Sequence, residues 1–170
     1  MRKDMNQYCV TVIIPAYNVE KYIMRTLESV LAQTLLGIEI IVINDGSIDG
    51  TKEIIDAYEK KYPGQIKGIH TNNRGVTNAR LEGVKMAKGK YIGFVDGDDE
   101  IEPDMYEMLF RNAIKYKADI SHCGYQMIFP DGRIHYFHNT NRIIVQDHKR
   151  GLKDLLDGSL VEPGLCNKLY

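Results

Sequence analysis

Hydrophobic residues fall along this chain in two alternating patterns. Short, mainly apolar runs rich in β-branched residues occupy positions 9–14, 38–43 and 91–95, with a weaker run at 66–70. They are too short for helices and show no polar alternation, which is how strands buried on both faces of a parallel sheet read. Between them, apolar residues recur at helical spacing. The first such stretch, 19–34, carries Ile23, Leu27, Val30 and Leu31 on one face, with Asn18 as its cap and Pro15 ending the strand before it. The second opens at Asp49 or Thr51, carries Ile54, Ile55 and Tyr58, and stops at Pro63-Gly64. A third carries Val76, Ala79, Gly83, Val84 and Ala87 and ends at Gly89. Pro103, at a first-turn position, opens a fourth that runs to about Lys117. The β-α-β-α-β-α-β-α order predicts an α/β fold, a mostly parallel sheet with helices on both faces.

The pattern changes after residue 119. Residues 121–129 and 133–137 flank Pro130-Asp131-Gly132 and read as a β-hairpin extension, followed by a short helix over 149–157. His135 and His138 are three apart in a strand, so they point to opposite faces and do not share a metal. The hairpin aromatics Tyr125, Phe129, Tyr136 and Phe137 suit packing against a further C-terminal part, or else the wall of an acceptor site.

Composition narrows the class. At 170 residues, 44% hydrophobic and 26% charged, the chain has the make-up of one globular domain with a real core. A net charge of −1 gives no electrostatic footprint for nucleic acid. The three cysteines, Cys9, Cys123 and Cys166, are scattered with no CxxC pair, which suits reduced thiols and a cytoplasmic setting. No segment approaches the roughly 20 apolar residues of a membrane span, although peripheral association of a longer protein with the inner membrane face stays open.

The chemistry concentrates at strand ends. In an open α/β sheet ligands bind at the carboxyl ends of the strands. Ala16-Tyr17-Asn18, Asn44-Asp45-Gly46-Ser47, Asn72-Asn73-Arg74 and Asp96-Gly97-Asp98-Asp99 all fall there. Each alone is an ordinary turn or helix cap, but together on one edge they predict a single site. The carboxylates of Asp96, Asp98, Asp99 and Glu100 repel one another unless a cation sits among them, and hard oxygen ligands suit a divalent ion. A solvated acidic turn is the bland alternative. Neither GxGxxG nor GxxxxGK[ST] occurs, so a bound nucleotide would not rest its phosphates on a glycine-rich helix start.

Four segments carry a resemblance to a known family. Thr11-Val12-Ile13-Ile14-Pro15-Ala16-Tyr17-Asn18, Leu27-Glu28-Ser29-Val30-Leu31-Ala32-Gln33-Thr34, Ile40-Ile41-Val42-Ile43-Asn44-Asp45-Gly46-Ser47 and Tyr91-Ile92-Gly93-Phe94-Val95-Asp96-Gly97-Asp98-Asp99 resemble the inverting family 2 glycosyltransferases of the Rossmann-like GT-A fold. The match runs from about Tyr8 to Tyr116. The resemblance implies a nucleotide-diphosphate-sugar donor, usually a uridine one, and a glycan or lipid-linked acceptor, as in bacterial polysaccharide synthesis. It implies Pro15, Ala16 and Tyr17 along the nucleoside pocket and Asp45 on the uracil or ribose. It also implies Arg74 near the nucleotide. In the Asp96-Gly97-Asp98 element, Asp96 would serve the ribose and metal shell, Asp98 would coordinate Mn²⁺ or Mg²⁺ directly, and Asp99 would support them. The family's Ala-Arg-Asn-x-x-Gly helix pattern departs here at Leu81, and Arg80 receives no role.

The resemblance also divides the chain and limits it. Residues 1–117 correspond to the nucleotide-sugar-binding half and 118–170 to the start of an acceptor half. The family's catalytic base follows a segment like Asn167-Lys168-Leu169-Tyr170, so the reading is an N-terminal part whose general base lies beyond Tyr170. Asp147, Asp154, Asp157 and Glu162 sit in no base motif. Two other classes are weighed. A sugar-phosphate nucleotidyltransferase wants a glycine-rich loop where Pro15-Ala16-Tyr17-Asn18 stands. A calcium-binding module starting at Asp96 would need glycine where Ile101 stands, and Pro103 interrupts it.

Overall fold

The computed structural model describes residues 8–138, 140–161 and 163–170. Glu162 lies outside them. The strands β1 (Tyr8–Ala16), β2 (Ile38–Asp45), β3 (Ile66–Thr71) and β4 (Gly89–Phe94) are parallel and alternate with helices α1 (Ile23–Leu31), α2 (Thr51–Lys61) and α3 (Val76–Met86). Helix α4 (Met105–Tyr116) follows β4. The expected α/β architecture is present, and its sheet order is β3-β2-β1-β4-β8-β5, with β8 (Lys168–Leu169) antiparallel to β4 and β5 (Ser121–His122) antiparallel to β8. Strands β6 (Tyr125–Ile128) and β7 (Ile134–Phe137) form a separate hairpin, and α5 spans His148–Leu156.

Every residue of β2 is buried, as its apolar run predicts for a central strand, and the Glu39 within it accepts from Thr11 Oγ1 and Lys88 N. Helices α1, α2 and α4 cover one face through Ile23, Leu27, Val30, Ile55, Tyr58, Tyr106 and Leu109, against Val10, Val12, Ile14, Ile40 and Val42. Helix α3 packs on the other face, where Ala79 meets Ile41 and Ile43. A β-carbon added at Gly83 would stand 2.4 Å from the Ile13 Cγ2, so α3 lies unusually close to the sheet.

Several boundaries differ from the sequence reading. Pro15 does not end β1, which continues to Ala16. The Ile13 carbonyl accepts from Val95 N, so Pro15, two residues on, points its missing N–H toward the side where β4 has already ended. Asn18 does not cap a helix. It adopts a left-handed conformation (φ 53°), and α1 begins only at Ile23 with no side-chain cap. Val76 and Val84 are exposed, because the close approach of α3 leaves room for only Ala79 and Gly83 beneath it. Gly89 opens β4 instead of ending a helix. The first expected hairpin strand is divided, with Ser121–His122 in the main sheet and Tyr125–Ile128 in the hairpin. Strand β8 has no antecedent in the sequence reading; a two-residue strand carries no period.

Candidate functional site

The four loops at the carboxyl edge of the sheet are tied to one another by their own polar residues. Asn18 donates its N–H to Ser47 Oγ at 3.0 Å and accepts from Ile48 N at 2.9 Å. The Glu20 carboxylate accepts from Gly50 N (2.7 Å), while Asp49 accepts from Glu20 N and from Thr51 N, both at 3.1 Å. Burial alone would push the Asp49 carboxyl up, but the bonds from Thr51 and Glu20 outweigh it and the net shift is downward. Asn44 accepts from Ser47 N through its side-chain oxygen, which leaves its amide nitrogen to donate to His70 Nδ1 (3.1 Å). The His70 Nε2–H then donates to Asp56 at 2.8 Å.

Asp45, almost fully buried, reaches the third loop. Its carboxylate accepts from Arg74 N (2.9 Å), Gly75 N (2.7 Å) and Thr71 Oγ1 (3.3 Å), at the start of α3. Gly46 in the same loop has φ +74°, and a β-carbon there would meet Asn73 N at 2.6 Å, so only glycine lets these two loops touch. Asp45, Thr71, Arg74, Asn78, Ala79 and Glu82 line a small hollow beside this junction.

The fourth loop carries the acidic cluster. Thr26 Oγ1 of α1 donates to the Gly97 carbonyl at 3.0 Å, and a β-carbon at Gly97 would stand 3.0 Å from the Pro15 carbonyl. The acidic turn is therefore pressed against the first loop. Asp96 is paired with Arg80 of α3, Nη2 to Oδ1 at 2.6 Å. The Arg80 Nε is buried with no hydrogen-bond partner among the described residues. The Asp99 carboxyl is pushed above its ordinary value, first by partial burial and then by the charges of Asp98 and Asp96. The thiol of Cys166, just before β8, is pushed up to about 12 by burial and by the neighbouring Asp96 carboxylate, which it also hydrogen-bonds.

The sequence-predicted residues thus fall on one edge. Pro15 and Ala16 are buried at its base, Tyr17 is half-exposed above them, and Asp45 and the exposed Arg74 sit across the β2 and β3 loops. Asp98 is exposed. The donor atoms of Asp96, Asp99 and Cys166 lie within 4.8 Å of one another, and Asp98 is not in that group. Two carboxylate oxygens beside a polarizable sulfur are a donor set that fits a divalent cation of the Mn²⁺ kind, more comfortably than the all-oxygen Mg²⁺. Two neighbours were missed from sequence. Cys166 is remote in the chain from Asp96 and arrives only because β8 joins the sheet, and Arg80 gives no local sign of its partner.

His138 lies one residue past β7 in a left-handed conformation (φ 55°), so the expected placement of both hairpin histidines in one strand does not hold. His135 packs edge-on against Phe129 and His138 lies near Tyr125. No helix among the described residues is long and apolar enough to cross a membrane.

Comparison with known proteins agrees with the geometry. The family described as glycosyl transferase family 2 matches residues 11–166. The glycosyltransferase EpsJ of Bacillus subtilis is 44% identical over 124 residues, covering 73% of this chain and 36% of that protein. The glycosyltransferase YibD of Escherichia coli is 41% identical and covers 71% and 35%. The chain therefore spans about a third of the length of these relatives. Among solved structures, TarS of S. aureus in complex with UDP is similar at a TM-score of 0.60 and 30% identity, over 65% of this chain and 33% of TarS. The mannosyltransferase PcManGT of Pyrobaculum calidifontis, in complex with GDP-Man and Mn²⁺, is similar at 0.56 and 27%, over 65% and 32%.

Proposed function

Because the chain belongs to glycosyl transferase family 2, we propose that it forms the donor-binding part of a glycosyltransferase. It binds a nucleotide-diphosphate sugar, with uridine the favoured base, at the carboxyl edge of its sheet. The observation that carries this is the convergence of four cross-linked loops on that edge, bringing Ala16, Tyr17, Asp45, Arg74 and Asp96 into one rim. That solved relatives hold UDP or GDP-Man supports the nucleotide-sugar class.

Each residue then has a task. Pro15 and Ala16 form the apolar floor of the nucleoside pocket, and the half-exposed Tyr17 ring is available to the base. Asp45 fixes the start of α3 through the Arg74 and Gly75 N–H groups and offers its remaining lone pairs to base or ribose. Asp96 serves the ribose and, with Asp99 and Cys166, would hold Mn²⁺ or Mg²⁺; the exposed Asp98, outside that group, offers a further carboxylate from the same turn. When bound, the cation neutralises the diphosphate and stabilises it as a leaving group. Transfer to an acceptor hydroxyl with inversion needs a general base, worth about 10²–10⁴-fold. We place that base in the remaining length that the relatives possess. Among the nearby carboxylates, Asp154 is unsuited, because it is almost fully buried and held by Arg150 at 3.0 Å. A glycan or lipid-linked acceptor at the membrane face fits the relatives' roles, one of which is minor teichoic acid biosynthesis.

Thermal unfolding with UDP or GDP, with and without Mn²⁺, tests this reading. A ligand at a hundredfold its Kd stabilises by about 2.7 kcal/mol. Metal-dependent stabilisation by a nucleotide, reduced in both Asp96→Asn and Asp98→Ala, is the expected result. No shift with either nucleotide, or an equal shift with Ca²⁺ alone, would contradict it.

A further inference from the structure

Helix α3 touches both carboxylates that the proposed nucleotide site relies on. At its start, Gly75 N and the preceding Arg74 N donate to Asp45. One and a half turns on, Arg80 binds Asp96. The helix cannot drift between these two points, because Ala79 and Gly83 seat it directly on β1 and β2. It is a rigid strut whose start and middle set the separation of two acidic groups from different loops.

Asp96 needs such a hold. It shares its turn with Asp98 and Asp99, whose charges push it away, and its own backbone lies past the last residue of β4. The Arg80 guanidinium is mostly buried and donates to Oδ1, while the Cys166 thiol hydrogen-bonds the same carboxylate. Gripped from two sides, by a buried charge-assisted donor on α3 and by a thiol beside β8, the carboxylate has little freedom to turn.

Resting on the nucleotide-binding reading above, we infer that Arg80 is a positioning residue that aims the Asp96 carboxylate at the nucleotide. It acts through Asp96 and does not itself contact the donor. It also lowers the net negative charge of the acidic turn. Removing it should therefore weaken the nucleotide while leaving the attraction for a bare cation intact or increased.

Calorimetric titration of UDP in the presence of Mn²⁺, and of Mn²⁺ alone, separates the possibilities. The proteins are wild type, Arg80→Gln, Arg80→Lys, Asp96→Asn and the Arg80→Gln/Asp96→Asn double variant. The inference predicts about a tenfold weaker UDP affinity in Arg80→Gln, an intermediate loss in Arg80→Lys, and no further loss when Arg80→Gln is added to Asp96→Asn. Mn²⁺ alone binds Arg80→Gln at least as well as wild type. UDP affinity within twofold of wild type in Arg80→Gln overturns the inference while the donor-site reading stands. So does a loss that persists at full size in the Asp96→Asn background, or a parallel loss of Mn²⁺, which marks a collapsed site. If Arg80→Gln does not fold, Arg80→Lys is judged by the same twofold limit. A wild-type chain that binds neither UDP nor GDP with Mn²⁺ overturns the donor-site reading, and the inference with it.

Discussion

The two ends of this chain use similar residues to opposite effect. In the β1–β4 part, Ile13, Ile14, Ile40 and Ile43 have no exposed surface, and the polar residues left over are spent linking loops to one another. In the part after residue 119, Ile128, Ile134, Tyr136 and Leu156 are 65%, 45%, 64% and 78% exposed. The hairpin is held mainly by its own cross-strand pairs, such as the stacked Tyr125 and Phe137 rings at 4.7 Å. A sheet covered on both faces converts an apolar side chain into stability and a strand end into a fixed address. A two-stranded ribbon does neither unless something covers it.

That contrast can be broken, and the largest effect lies in the core. Leu27→Ala, at a fully buried position of α1, should cost about 2–5 kcal/mol in denaturant unfolding. A cost below 1 kcal/mol would mean that α1 is far looser than its packing implies. Next comes Asp45→Ala, which strips three donors of their acceptor at the β2–β3–α3 junction. A loss of about 1–2 kcal/mol is expected, comparable with removing a strong helix cap, together with weakened nucleotide binding. Asp45→Asn should recover part of the stability, because its amide oxygen can still accept one of those bonds.

A smaller effect sharpens the other region. His122 of β5 titrates below its ordinary value, first because it is half-buried and then because Lys168 and His138 lie near it. In the unfolded chain it takes up a proton near pH 6.5, before the folded protein does. The stability it permits is therefore complete above that pH and is lost as pH falls toward the lowered folded value. Amide-exchange protection factors in β5 and β8, corrected for the intrinsic fall of exchange rate with pH, should drop below about pH 6.5, and His122→Gln should flatten the dependence. Smallest of all, Ile134→Ala in β7 should change stability by no more than about 0.5 kcal/mol. A core-sized loss there would show that the ribbon is packed against something in solution.

How much of this was legible in the sequence follows the same divide. The parallel strands announced themselves as mainly apolar runs, and the site loops followed as their ends. What escaped were contacts that depend on distant pairing. Asn18 reads as a cap by its type, but its side chain is claimed by the neighbouring loop at Ile48. Gly83 reads as one more helix position, yet it is what lets α3 approach Ile13. Arg80 and Cys166 meet Asp96 only after the sheet has formed, and no spacing rule spans those separations. Local pattern decides the elements; the identity of a partner across the sheet edge is a property of the fold.

The central claim is that the cation and nucleotide bind at the loop edge and not on the exposed C-terminal surface. Paramagnetic broadening of backbone amide NMR signals by substoichiometric Mn²⁺, with UDP present, reads this residue by residue. The account predicts loss of the signals of residues 96–99 and of Cys166 first, then those of residues 45–47, with the hairpin signals of Ile134 and Tyr136 unchanged. Uniform weak broadening, or broadening centred on residues 125–138, would contradict it.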